Sequence, residues 1–144
     1  MFYADWGVPD TLDGRFDMIS LHAFLVLDRL KGTEQEFRQK LVDELFADMD
    51  RSLREMGVGD LSVGKKVRKM AEVFYGRLAA YDKAVAGPPD ELQAALARNV
   101  YADAPVGQGP SLLAAHVAEQ RQHLASQETG AIAGGKVHFR EPAR

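Results

Sequence analysis

The stretch "DMISLHAFLVLDRL", residues 17–30, limits the possible folds more than any other part of this chain. Beyond Asp17, only Ser20, His22, Asp28 and Arg29 interrupt its apolar character. A helix that is apolar on most sides has little surface to offer water, so it belongs at the centre of its fold, with other elements around it. It cannot cross a bilayer, because its longest unbroken apolar run, Ala23 to Leu27, is far short of the roughly 20 residues required. The predicted helix covers about residues 13–30, and Gly32 stops it from the C′ position.

The elements that must surround it are also helical. "TEQE" at 33–36 has the form of a capping box, with Thr33 as the cap and Glu36 reaching back. Phe37, Leu41, Leu45, Met49 and Leu53 then recur at helical spacing until Gly57. A third helix is predicted from Val63 to Val85, with Ser62 as N-cap and a buried stripe through Val67, Met70, Phe74, Leu78 and Tyr81. Pro88 and Pro89 break the chain and suit the start of a short helix over Asp90–Tyr101. "ADAPVGQGPS", residues 102–111, reads as a loop, and a fifth helix covers Ser111–Ser126. In the tail, Val137 and Phe139 alternate with Lys136 and His138, which predicts a short strand, or a hairpin about Gly134 and Gly135. The expected architecture is all-α: one domain, residues 1–144, forming a bundle of about five helices with a short C-terminal strand or hairpin. The abrupt opening "MFYADWGVPD" leaves room for an upstream N-terminal segment, and no signal or transit peptide is expected ahead of the domain.

Composition narrows the chemistry. The net charge of −3 gives no global attraction for nucleic acid or acidic lipid, so any electrostatic function must be local. The absence of cysteine excludes disulfides, thiol nucleophiles and thiolate-held metals. "GDLSVGKK", residues 59–66, places Gly59, Gly64 and Lys65 at P-loop spacing. A phosphate cradle needs a strand before it and a hydroxyl after the lysine. The chain has a helix end before it and Lys66 after it, so no ATP or GTP site is expected. What remains is a basic turn: residues 65–77 hold Lys65, Lys66, Arg68, Lys69 and Arg77 against Glu72 alone. Charged helix residues most often make a solvated face, but cations early in a helix oppose its dipole, which puts a binding role on an even footing with that reading.

Other polar residues are weaker signals. His22 shares a stripe with Arg15 and Arg29, either as a core histidine bonded across helices or as part of a partner-facing strip. His116, Glu119 and His123 share a face that could hold zinc, yet they lack a metalloenzyme signature, and an exposed polar stripe is the preferred reading. Asp13, Asp17 and Asp28 are expected on a solvated side of the first helix. Gly76 in mid-helix suggests close approach by a neighbouring helix or by a partner. No catalytic constellation is found.

Taken in order, "LHAFLVLDRL", "VGKKVRKMAEVFYGRLAAYDKAV", "LQAALARNVY" and "GGKVHF" resemble the ubiquinol–cytochrome c chaperone family, and the opening "GVPDTLDGRFDMISLHAFLVLDRLKG" resembles its bacterial members. The likeness runs from about Val8 to the C-terminus. No single motif is specific; the ordered set is. The resemblance implies a non-catalytic assembly chaperone that binds newly made cytochrome b and promotes assembly of ubiquinol–cytochrome c oxidoreductase, respiratory complex III. It implies apocytochrome b as client, with a ribosome and a small partner subunit as further partners, and no cofactor, metal or DNA. The place of action would be cytoplasmic, with transient peripheral association at the inner membrane. His22 and Arg29 match the family's His and Arg, Lys65 and Lys66 its basic turn, and Phe74, Tyr75, Tyr81 and Asp82 its aromatic stretch. His116 stands where some relatives carry Tyr. The expected partner-binding residues are Lys65, Lys66, Lys69, Tyr75, His22 and Arg29. Two competing readings are a ribosome- or RNA-binding helical module using Lys65–Lys69, and a small helical metalloenzyme using His116 and His123.

Overall fold

A computed structural model describes residues 2–101 and 107–139. Among them run six helices: α1 (Leu12–Arg29), α2 (Gln35–Glu55), α3 (Asp60–Ala86), α4 (Pro89–Val100), α5 (Gly109–Ala125) and α6 (Thr129–Ala133). The fold is all-α, and α1 is its centre, packed against α3, α4 and α5. Leu21 and Leu25 of α1 and its C-cap residue Leu30 are wholly buried, as the apolar circumference requires.

The main core joins α1, α3, α4 and α5 to the N-terminal segment through Trp6 and Val8. That segment folds back on α1 so tightly that a side chain at Gly14 would collide with the Pro9 carbonyl; a Cβ there would stand 1.8 Å from the oxygen. Thr11 caps α1, its hydroxyl accepting from the Gly14 N–H at 3.0 Å. A second core, under Phe16, Val42, Met49 and Phe74, binds α2 to α1 and α3, and a third gathers Val26, Leu30 and Ile132 where α1, α2 and α6 meet.

Local chemistry differs from the sequence expectation in four places. Thr33 and Glu36 form no capping box: α2 begins from Glu34 in the left-handed region (φ 51) without a side-chain cap. Arg38 donates to the Thr33 carbonyl instead (2.9 Å), and Glu36 is left to pair with Lys40 at 3.6 Å. The third helix starts three residues earlier than predicted, at Asp60 with Gly59 as N-cap, so Ser62 lies inside its first turn. No neighbouring helix of the chain approaches Gly76, since nothing lies within 4 Å of a Cβ placed there.

Among the described residues, the expected C-terminal strand or hairpin is replaced by α6 and a stretch without regular secondary structure over 136–139. Gly135 (φ 85) ends α6: its N–H bonds the Ile132 carbonyl, and the Lys136 N–H bonds that of Ala131. That pair of bonds is a Schellman cap, so the Gly-Gly sequence closes a helix where it might have turned a hairpin. The same device ends α2 at Gly57 (φ 87), with Val58 bonded to Leu53 and Gly57 to Arg54. The predicted loop over 102–111 falls partly outside the described residues, at 102–106, and the chain is already helical from Gly109.

Candidate functional site

α1 and α2 do not close over one another completely. Between them, with the 136–139 stretch as a third wall, lies an apolar groove of about 480 Å³. Ile19 and Val26 of α1, Phe37 and Leu41 of α2, and Val137 and Phe139 of the tail line it. Ile19 and Phe139 remain 44% and 39% exposed, so the groove is open to a partner. Its α2 rim carries Glu44 and Asp48, which hold Arg51 at 3.0 and 3.3 Å. A single side chain ties the tail in place: the Gln127 amide donates to the His138 carbonyl (2.8 Å) and accepts from the His138 N–H (3.0 Å).

His22 stands at one end of this groove. Its Nδ1 lies 2.8 Å from the Met18 carbonyl, which can only accept, so Nδ1 carries the proton. Its Nε2 is then an acceptor and faces His116 Nε2 at 3.2 Å, so His116 donates. The remaining His116 nitrogen, Nδ1, lies 3.5 Å from the Gln120 amide nitrogen. The partners thereby assign both tautomers, and both rings are neutral. Phe2 packs edge-on against both imidazoles, Trp6 against His116, and Phe139 against His22. His116 is 4% exposed, and burial with the adjacent His22 ring pushes its imidazole down from the usual 6.5 to about 4. Burial also pushes His22 down, against the Met18 hydrogen bond that favours its charged form. His22 is thus a histidine bonded across helices. His116 faces this pair, away from any zinc-binding role with Glu119 and His123, and no group of three or more His, Asp or Glu among the described residues could hold a metal ion.

Arg29 is committed internally. Its guanidinium donates to the Leu124 and Gln127 carbonyls at 2.9 and 2.6 Å, closing the C-terminal end of α5. Of the aspartates expected on a solvated face, two are not there. Asp17 is buried and bonded to Arg77, and Asp28 pairs with Arg121 at 2.9 Å. Each aspartate has an arginine on a facing helix, and a buried carboxylate needs such a partner to stay charged. Within the aromatic stretch, Phe74 and Tyr81 are core, Asp82 pairs with Lys31 at 2.8 Å, and Tyr75 is 53% exposed.

The P-loop-like stretch is itself helical from Asp60 onward, with the Ser62 and Val63 N–H groups bonded to the Gly59 carbonyl. Those donors cannot surround a phosphate. The early start of α3 also changes the electrostatic argument. Asp60 occupies the first turn, where acid is favoured, and Lys65 lies beyond the turn in which the dipole acts strongly. The lysines therefore do not strain their helix. Lys65, Lys66, Arg68 and Lys69 are all exposed, and only Lys69 has an ion-pair partner among the described residues, Glu72 at 3.8 Å.

Thus His22 lies at the groove, Arg29 beneath the end of α5, and Lys65, Lys66, Lys69 and Tyr75 on the outer surface of α3. They are not one cluster. Sequence periodicity did not find the groove, because Ile19, Phe37 and Leu41 look like any other apolar helix positions; the alternation of Val137 and Phe139 was the one visible trace.

The comparisons with known proteins agree with this architecture. The family model described as ubiquinol-cytochrome C chaperone matches residues 4–139. A Xenopus laevis protein named ubiquinol-cytochrome-c reductase complex assembly factor 1 is 30% identical over 102 residues, covering 69% of this chain and 51% of its own length. The Mus musculus protein of that name is 27% identical over 103 residues, covering 69% of this chain and 35% of its own length. This chain therefore spans about half the length of the first relative and about a third of the second. The crystal structure of the Cbp3 homolog from Brucella abortus superposes with a TM-score of 0.85 at 41% identity, over 97% of this chain and 80% of that one. With the match running through every helix described, the chain belongs to the ubiquinol-cytochrome C chaperone family.

Proposed function

We propose that this protein is a non-catalytic assembly factor for ubiquinol–cytochrome c reductase, respiratory complex III, and that its client is newly made cytochrome b. The observation that carries this reading is the family match over residues 4–139, in company with relatives named as assembly factors of that complex. The groove supports it physically. An open apolar channel of about 480 Å³ offers a single segment of an unassembled membrane protein a place out of water. In this reading Ile19, Leu41 and Phe139 contact the client. The outer surface of α3, with Lys65, Lys66, Lys69 and Tyr75, meets a second partner, His22 stands at one end of the groove, and Arg29 braces the end of α5. The protein acts at the membrane surface where its client is inserted, a small partner subunit or the ribosome being further contacts. No helix among the described residues is long and apolar enough to cross a membrane itself.

The test is affinity purification from cells in which cytochrome b synthesis can be switched off. Cytochrome b should co-purify while synthesis runs and vanish when it stops, and Ile19→Asp, at a position 44% exposed, should lose it with little change in melting temperature. Retention of the same partners after synthesis stops would refute the assignment. A second reading, RNA binding, is favoured by Lys65 and Lys66, which are exposed and have no ion-pair partner among the described residues. It requires affinity for RNA that falls steeply with salt.

A further inference from the structure

The turn between α2 and α3 combines two features. The first is exposed apolar surface. Leu61 is 90% exposed and Met56 63%, the two highest values among the large hydrophobic side chains, and they lie five residues apart on either side of one turn. Scattered exposed apolar residues are ordinary on a protein surface. The two most exposed ones sharing a tip are not explained by chance placement alone, and neither belongs to any of the buried clusters.

The second feature is unneutralised positive charge. Residues 54–69 hold five basic side chains against two acidic ones, in a chain whose net charge is −3. Of these five, Arg54 is matched by Asp50 and Asp60 and Lys69 by Glu72, and several basic groups elsewhere are matched too: Arg15 with Asp10, Lys31 with Asp82, Arg51 with Glu44 and Asp48. Lys65, Lys66 and Arg68 are exposed and have no such partner among the described residues.

Helix geometry aims both features the same way. Side chains on a helix tilt toward its N-terminus, so Leu61, Lys65, Lys66 and Arg68 lean toward the α2–α3 turn. Leu61, Lys65 and Arg68, spaced four and three apart, also share one face. The Schellman cap at Gly57 turns the chain sharply there and leaves Met56 at the end of the hairpin. An apolar point with a basic collar behind it matches the layered chemistry of a membrane interface, where acyl chains lie beneath anionic headgroups.

We infer that the α2–α3 tip is a lipid-contact element: Met56 and Leu61 enter the interface of an anionic bilayer while Lys65, Lys66 and Arg68 engage its headgroups. This rests on the reading that the protein works at a membrane surface and names the surface that does so. The groove lined by α1, α2 and the tail is a separate site, lined by neither Met56 nor Leu61, so a protein held by its tip keeps the groove available to a client.

Neutralising Lys65, Lys66 and Arg68 together to Gln should weaken binding about a hundredfold, at roughly fivefold per basic residue. Met56→Ser with Leu61→Ser should weaken it at least about tenfold. The assay is co-sedimentation with vesicles of two parts phosphatidylcholine to one part phosphatidylglycerol, beside vesicles of phosphatidylcholine alone, across a salt series. The inference expects binding to the anionic vesicles only, lost in both variants, with melting curves unchanged because every substituted side chain is exposed. It is overturned if the unmodified protein fails to sediment with anionic vesicles, or if the Met56→Ser, Leu61→Ser variant sediments as well as it does. It is also overturned if the basic residues bind RNA at low salt while vesicle binding is absent. Capture of cytochrome b from detergent extract, measured on the same variants, separates the two proposals. Intact capture with no vesicle binding removes only the lipid-contact element; vesicle binding without capture removes the assembly role.

Discussion

The buried histidine pair makes the stability of this protein depend on pH in a calculable way. In the unfolded chain His116 titrates near 6.5; in the fold, burial and the adjacent His22 hold it near 4. A depressed folded value means that the unfolded chain binds the proton first as pH falls. The stabilisation is therefore complete above 6.5 and is lost progressively down to about 4. At about 1.4 kcal/mol per unit, a separation from 6.5 to about 4 is worth on the order of 3 kcal/mol. His22 is shifted in the same direction and adds to the loss. Protonation of His22 also breaks the hydrogen bond between the rings, because both Nε2 atoms would then carry protons across a 3.2 Å gap. The perturbation is His116→Phe, which retains an aromatic ring against Phe2 and Trp6 but cannot titrate. It should cost about 1–3 kcal/mol at neutral pH by leaving His22 Nε2 without its donor. Urea unfolding of both proteins at about pH 7.5 and about pH 4.5 gives the difference, in which unrelated carboxylates cancel. The wild type should lose on the order of 2–3 kcal/mol more than the variant over that interval. Equal losses in the two proteins would refute the reasoning and show that the pair is open to water.

Three further changes test the packing. Gly14→Ala should destabilise by about 2 kcal/mol or more, read by urea unfolding, because the new methyl overlaps the Pro9 carbonyl and backbone cannot easily yield. Gly76→Ala should instead stabilise by up to about 1 kcal/mol, since the position is helical and open; a lower melting temperature would show that something does approach it. Arg29→Ala should cost about 1–3 kcal/mol by uncapping the Leu124 and Gln127 carbonyls. Arg29→Lys should recover only part of that loss, because a compact ammonium does not span two acceptors as a guanidinium fork does.

The sequence by itself determined the helical class and the central position of α1. Both follow from local information: an apolar circumference over residues 18–30 has only one stable environment, and the glycines at 32 and 57 stop helices wherever the chain sits. It also carried the family resemblance, which depends only on the order of residues. Tertiary structure decided whatever depends on the partner of a side chain. Asp17 and Asp28 read as solvated until α3 and α5 supplied Arg77 and Arg121. His22 had two open readings until His116, ninety-four residues away, completed its hydrogen bonds. The Gly134–Gly135 pair suits a hairpin and a helix cap equally, and burial of Ile132 in the third core selects the cap. The groove and the tip have the same origin. Periodicity marks a residue as apolar, but only the positions of the neighbouring helices decide whether Ile19 and Leu61 are covered, and in this fold they are left exposed.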